Sequence, residues 1–492
     1  MTTQEDPITL PSFNPSSMQA APFPSLGKGQ RLLLLLAFAF TVMADPISSV
    51  AYAIEAALRA LDGHLELLLP TMALVILVIG IVTLNYHQLV ARFPQGGGAA
   101  AAAGLALGEA WAFVPMGALI VDFVLTIAIS IAASASALIA FVPVLAPFRV
   151  LLALGLLLLV GGLTWFGHHG RTIFALMTLA FVGVGATLLA TGWWQALQPG
   201  SGSALSSTPP GSELPGSSFL AVLFAFPVAM ALATGVEAPS SAIAQLGQLD
   251  LGGRRFFGRV TLWLTLLIVG GLTLGLTALA VRQGIGIPPA NSTQIAEVAR
   301  AVSSPWLFAA FQGATALLLL SAASSSFQAG PGLLKALAQT AGRDGNMQGL
   351  LPAGLGRTNV HHTPVVGLGV YLLIAAGVLL LSGAQDQVLV LFYAVAVFLS
   401  FLMGLLAMAR LTRGSGFARG LNLLGAGVVG FTLVMNLARG WPVLSLVVAL
   451  AIALGLYLLW VRAGRPRGIS ATVQHAEEEE ALPTHEVPVK KA

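Results

Sequence analysis

The sequence predicts an all-α polytopic membrane protein: twelve transmembrane helices, ten of them forming a 5+5 inverted repeat with broken helices 1 and 6. Three observations carry this. The 492 residues are 57% hydrophobic and only 9% charged, with a mean hydropathy of +0.88, whereas a soluble domain carries roughly 25% charged residues. Twelve apolar segments reach the length of about 20 residues that a span requires. Two of those segments contain breaks that look like copies of one another, Asp45-Pro46-Ile47-Ser48-Ser49 and Glu237-Ala238-Pro239-Ser240-Ser241.

Residues 1–30 read as a polar, Pro/Ser-rich cytosolic tail without the basic start and short apolar core of a signal peptide. The expected spans are 31–58, 68–91, 112–141, 149–166, 171–192, 219–247, 258–281, 304–330, 364–382, 386–409, 421–438 and 441–461. Residues 31–192 form the first repeat, 193–218 a Ser/Gly/Pro-rich extracellular loop, and 219–409 the second repeat. Residues 410–462 add spans eleven and twelve, and 463–492 form a polar cytosolic tail. Residues 282–303 and 336–363 read as long connections, and Gly96–Gly98 as a turn entering span three.

Basic residues set the orientation. With a cytosolic N-terminus, only Arg59, Arg149, Arg282, Arg300 and Arg439 of the 23 Lys and Arg fall outside. The expectation is therefore a multi-pass protein of the plasma membrane with both termini cytosolic. The two breaks lie five spans apart. An odd offset reverses direction, so helices one and six meet antiparallel near the midplane, the arrangement of many secondary transporter sites.

Asp45, Asp122 and Glu237 lie inside apolar segments, where a charge costs about 2.5–3.5 kcal/mol on insertion scales. The basic residues within the spans, Arg31, Arg149, Arg171 and Arg259, stand at their very ends, leaving none at membrane depth to pair the acids, so a cationic cargo is expected to supply the positive charge. In span one, unwinding near Ser48 and Ser49 would free carbonyls for an alkali cation. Asp45 also fits a plain helix cap with Pro46 at the first helical position, and the two roles are compatible. In span three, Asp122, Thr126 and Ser130 follow i, i+4, i+8 and share one face, a donor set suited to a hard cation. Ser130 alone also fits a hydroxyl bonded back to its own helix. In span six, Gly235 and Pro239 bracket a plausible unwound stretch. Glu237 is the leading group for proton exchange, because a proton and a cation would compete to neutralise it; a protonated Glu that only bridges helices is the plainer alternative. Tyr393 in span ten reads equally as packing. Ser324, Ser325 and Ser326 fit either a sodium site or close helix contact.

Other chemistries have no support. Zero cysteines exclude disulfides and thiolate sites. The eight histidines are expected in loops or tails, which argues against a histidine proton relay. No phosphate-binding loop, hydrolase spacing or metal-ligand spacing is present, so the chain is expected not to be an enzyme, to use no ATP and no cofactor, and to bind no nucleic acid.

At these residues the chain resembles the amino acid–polyamine–organocation (APC) superfamily, whose LeuT/APC fold has the broken helices 1 and 6 read above. It is most similar to the KimA-type potassium/proton symporters. The resemblance is carried by Asp45-Pro46-x-Ser48-Ser49-Val50-Ala51-Tyr52-Ala53, Phe93-Pro94-x-Gly96-Gly97-Gly98, Asp122-Phe123-Val124-Leu125-Thr126, Thr234-Gly235-Val236-Glu237-Ala238 and Tyr393-Ala394-x-x-Val397-Phe398-Leu399-Ser400-Phe401. It implies a cation path through Asp45, Tyr52, Asp122, Thr126, Ser130, Thr234, Glu237 and Tyr393. Potassium would sit at Asp45, Asp122 and Thr126, with proton coupling at Glu237 and Asp45. Phe123 departs from the Tyr usual there. The family's large soluble C-terminal domain has as its counterpart only about 30 polar residues here, which leaves homodimerisation and nucleotide control open.

Proton-coupled potassium import is the leading expectation. An amino acid or polyamine permease is the alternative within transport, and a non-transporting sensor or scaffold the alternative outside it. Asp45 separates the first two, since amino acid carriers present backbone N–H groups to a substrate carboxylate at that break. A polyamine would accept the acids.

Overall fold

The structure, a computed structural model, describes residues 27–167, 171–198, 217–338, 349–440, 442–466 and 468. Most of the N-terminal tail, of the 193–218 loop and of the C-terminal tail lies outside the described residues, as do residues 339–348 of the 336–363 connection. Among the described residues the only β pairing is one bridge between Thr358 and Pro364. Backbone in a bilayer must satisfy its own hydrogen bonds, and a helix does so within one segment.

Span one is three consecutive helices, α1 (Lys28–Val42), α2 (Ala44–Ser48) and α3 (Val50–Ala60). Pro46 has no N–H to continue the ladder. The linking residues nevertheless keep right-handed helical torsions, φ −73° at Met43 and φ −64° at Ser49. The carbonyls of Asp45 and Pro46 accept from the Ser48 and Ser49 hydroxyls, each at 2.6 Å. This corrects the expected unwinding. The first break keeps its pitch, and its own serines occupy the carbonyls that an ion was expected to use.

Next come α4 (Leu65–Arg92), α5 (Gly98–Leu107), α6 (Phe113–Phe141), α7 (Arg149–Trp165) and α8 (Arg171–Ala196). Gly96, Gly97 and Gly98 all have positive φ, as a tight turn requires. They lead into α5, a buried Ala-rich helix where only a turn was expected. Span six is α9 (Ser218–Ala229), a 3-10 turn over Met230–Ala233, then α10 (Ala238–Ala242). Thr234 is extended and Gly235 has φ +77°. Here the backbone does unwind, between Gly235 and Pro239 as expected.

The chain continues through α11 (Leu251–Arg282), α12 (Gln294–Val302), α13 (Pro305–Ala338), α14 (Val365–Leu381), α15 (Asp386–Leu411), α16 (Gly416–Leu437) and α17 (Val443–Arg462). Helix α12 lies in the stretch expected as a plain connection; Thr293 caps it, its hydroxyl accepting from the Ala296 N–H at 3.3 Å. Among the described residues ten helices are long and apolar enough to cross a membrane. The two remaining expected spans are the divided first one and α14, whose 17 residues give about 25 Å at 1.5 Å per residue.

Packing follows the inverted repeat. Helix α4 packs on α11 and α6 on α13, pairing spans two with seven and three with eight. The broken helices cross-pair, α1 with α10 and α3 with α9. A two-fold axis in the membrane plane between spans one and six produces this pattern. Helices α16 and α17 pack on α15, and on α4 and α6 respectively.

The two breaks touch. A Cβ on Gly235 would lie 2.7 Å from Asp45 Oδ2 and 2.8 Å from the Pro46 nitrogen. Gly235 is thus required both by its torsion and by this approach. Gly235→Ala should cost about 1–3 kcal/mol from the strained torsion alone and separate the breaks. A melting curve in detergent should show the loss; an unchanged midpoint would mean that the breaks do not press together.

Candidate functional site

Asp45, Asp122 and Glu237 come from three different helical units and line one cavity of about 180 Å³. Thr41, Ser241, Ser321, Ser325 and Ser326 add hydroxyls to its wall, and Phe123, Phe174 and Leu333 apolar surface. No Lys or Arg contributes to that wall among the described residues. Asp45 Oδ1, Asp122 Oδ1 and Glu237 Oε2 are buried without a hydrogen-bond partner. A carboxylate in such a place must be neutralised by a proton or by a cation, so the cavity is a site where either can bind.

The cavity runs from the carboxylates toward the end of the bundle where α8 begins and α13 finishes. Past the carboxylates, toward the opposite end, lies a hydroxyl cluster. The Thr126 and Tyr393 hydroxyls are 2.7 Å apart. The Tyr52 ring meets the Tyr393 ring edge-on at 6.3 Å, and its phenol stands beside the Thr234 and Tyr393 hydroxyls. Thr234 donates to the Ala231 carbonyl at 2.9 Å. Ser130 is fully buried and its hydroxyl has no partner, so the back-bonding alternative does not describe it. Thus Asp45, Asp122 and Glu237 share the cavity, while Tyr52, Thr126, Thr234 and Tyr393 form a separate hydroxyl cluster outside its wall. Ser130 lies one further turn along α6 from Thr126.

Beyond this cluster a polar clasp ties the opposite end. Glu55, only 3% exposed, accepts from Arg59 at 2.8 Å and from the Gln294 backbone N–H at 3.0 Å. Asp386 accepts from Ser136 at 2.7 Å, and Arg149 donates to the Ser136 hydroxyl at 2.6 Å and to the Ala290 carbonyl at 3.1 Å. Gln387 links Asp386 to the Tyr52 carbonyl. The cavity and the clasp thus lie toward opposite ends of the bundle.

Several of these groups were not singled out from sequence. Glu55 is a fourth buried acid in an apolar segment, and its i, i+4 spacing to Arg59 was the available signal. Tyr371 of α14 is buried with a free hydroxyl and lies within electrostatic reach of Asp122; nothing local in sequence marks it. Of the serine triplet, Ser325 and Ser326 reach the cavity and Ser324 does not. The histidine expectation needs correction at His87, which lies inside α4 and accepts from the Trp263 indole at 3.2 Å. Its place is the rim, away from the carboxylates.

Comparison with known proteins agrees with this architecture. Residues 32–473 match the family model described as amino acid permease. The chain is 29% identical over 386 residues to the potassium transporter KimA of Bacillus subtilis (strain 168), a match covering 77% of this chain and 61% of that protein's length. It is also similar to a manganese transporter of Eremococcus coleocola, solved in two mutant forms. The identities are 13% and 14% and the TM-scores 0.45 and 0.46, with 92% of this chain and 97% of each structure covered. The chain belongs to the amino acid permease family of the APC superfamily and has the helices of a multi-pass membrane protein.

Proposed function

We propose that this transporter imports potassium together with protons by alternating access. The observation that carries the reading is the single cavity lined by three carboxylates and no basic side chain. Hard alkali cations are held by oxygen ligands, and Asp45, Asp122 and Thr126 supply them, with Tyr52, Ser130, Thr234 and Tyr393 along the path. Glu237 exchanges the proton, and Asp45 is the second candidate. The similarity to KimA, a potassium transporter, supports the same cargo. Transport is driven by the proton gradient, without ATP or another cofactor. With the protein in the plasma membrane and both termini cytosolic, the cavity opens inward and the clasp faces outside.

A polyamine is the alternative cargo. Gln245 and Gln328 extend the polar wall beyond the carboxylates, which gives a longer cation room. A neutral amino acid, a cargo that membership of the amino acid permease family raises, fits less well, because its carboxylate would enter beside three acids.

In cells lacking potassium uptake, the protein should restore growth at low potassium and take up a rubidium tracer. Saturable uptake of a labelled polyamine or amino acid, with no potassium rescue despite membrane expression, would assign the other cargo.

Asp122→Asn should lower tracer uptake about ten-fold or more, equivalent to about 1.4 kcal/mol. Thr126→Val removes one hydroxyl and its bond to Tyr393, worth about 1 kcal/mol, and should raise the apparent KM about five-fold. Wild-type kinetics in a well-expressed Asp122→Asn protein would take Asp122 out of the site.

Glu237→Gln imitates the protonated side chain. In proteoliposomes it should lose accumulation driven by an inward proton gradient while retaining tracer exchange. A variant that still concentrates the tracer in response to the gradient would move coupling to Asp45.

A further inference from the structure

Helix α4 runs alongside the unwound segment of span six. It packs on the 3-10 turn before that segment and on α10 after it. At the end of this joint a Cβ on Gly258 of α11 would meet Val90 at 2.9 Å and Ile243 at 2.7 Å, so α4, α11 and the second half of span six close together there. One turn before Val90 stands Tyr86. Its ring is 2% exposed and packs edge-on against Phe401 at 5.6 Å. Its hydroxyl has no hydrogen-bond partner.

A buried phenol without a partner is costly, about 1–3 kcal/mol, and such an orphan calls for a reason. The neighbouring orphan is Glu237 Oε2, and Glu237 is the carboxylate whose charge reaches the Tyr86 phenol. One group is a donor in want of an acceptor. The other is an acceptor in want of a donor. Between Glu237 and the rest of span six lies Gly235, with its left-handed torsion of φ +77°, and only the five-residue α10 follows. A small rotation at this hinge moves Glu237 relative to α4, on which Tyr86 is fixed by its packing.

We propose that Tyr86 is a positioning residue for transport: its hydroxyl donates to Glu237 in the state opposite to the one seen here, holding the carboxylate after it has released both proton and cation. A carrier has to return empty, and an empty carrier with a bare buried carboxylate faces a desolvation barrier. A charge-assisted hydrogen bond from a phenol lowers it. On the other side of Glu237, Asp45 and Asp122 line the cavity and make the empty state less favourable still. His87, Arg92 and Arg259, the other titratable groups nearby on α4 and α11, sit near the bundle end and leave the donor role to Tyr86. The inference rests on the proposed proton coupling at Glu237.

The test is a double-mutant cycle in proteoliposomes with a rubidium tracer. Tyr86→Phe keeps the ring against Phe401 and removes only the hydroxyl. It should reduce the maximal rate of gradient-driven net uptake about ten-fold, about 1.4 kcal/mol, with apparent KM changed less than about two-fold. In the Glu237→Gln background the same change should alter net tracer uptake down a rubidium gradient less than about two-fold, because the carboxylate it serves is absent. Equal losses from Tyr86→Phe in both backgrounds would show a packing role and overturn the proposal, as would wild-type net uptake in Tyr86→Phe alone. If the wild-type protein moves tracer with no dependence on the proton gradient, the coupling reading fails. The pairing then stands or falls on the cycle measured by net uptake down a rubidium gradient, which also needs the empty carrier to return: a Tyr86→Phe loss confined to the Glu237 background supports it, and a loss shared by both backgrounds ends it.

Discussion

Everything at the centre of this protein depends on a close approach between two interrupted helices. Gly235 lies against Asp45 and Pro46 at a distance that admits no side chain. That contact brings the two breaks together and sets Asp45 and Glu237 on one cavity wall. Helix α6, packed on α13, contributes Asp122. Three carboxylates are thereby gathered where water is scarce and no basic group is near. Each alone costs several kcal/mol to insert. Together they define a space that a cation or protons must enter if it is to persist.

The two breaks are alike in sequence and unlike in conformation, and the difference is physical. In the first, Pro46 removes one N–H and the Ser48 and Ser49 hydroxyls take up the Asp45 and Pro46 carbonyls, so the helix is interrupted without being opened. In the second, Gly235 permits a left-handed torsion and the backbone turns away over Thr234–Glu237. Ser240 imitates Ser48 by donating to the Glu237 carbonyl at 2.7 Å, after the turn has been made. The rigid break supplies a fixed acid, Asp45. The open break supplies a movable one, Glu237. A site with one fixed and one movable carboxylate suits a carrier whose occupancy must alter its shape.

Much of this was legible in the chain. The acids betrayed themselves by their cost in apolar segments, and the repeated acid–Pro–Ser–Ser pattern located both breaks and their inverted relation. The i, i+4, i+8 run in α6 gave the shared face of Asp122, Thr126 and Ser130. What escaped was tertiary. The free carbonyls at Ser48 and Ser49 were lost to a local hydroxyl bond that competes with any ion. Helices α5 and α12 are short and lie in stretches without the length signal of a span. The Glu55–Arg59–Gln294 clasp and the Ser136–Asp386–Arg149 cluster join residues far apart in sequence, as does the Thr126–Tyr393 pair, which only the family resemblance suggested. Tyr86 and Tyr371 look like ordinary aromatic residues of apolar helices until the positions of their neighbours show hydroxyls without partners.

The asymmetry between the two ends follows from the same economy of charge. At the clasped end Glu55 has Arg59 and a backbone N–H, and Asp386 has Ser136 and Gln387. In the cavity one oxygen each of Asp45, Asp122 and Glu237 is buried without a hydrogen-bond partner. The clasp is joined to the hydroxyl cluster through Tyr52, whose carbonyl accepts from Gln387 at 3.4 Å while its ring meets Tyr393 edge-on. Helix α3 therefore carries both Tyr52 of the hydroxyl cluster and Glu55 of the clasp.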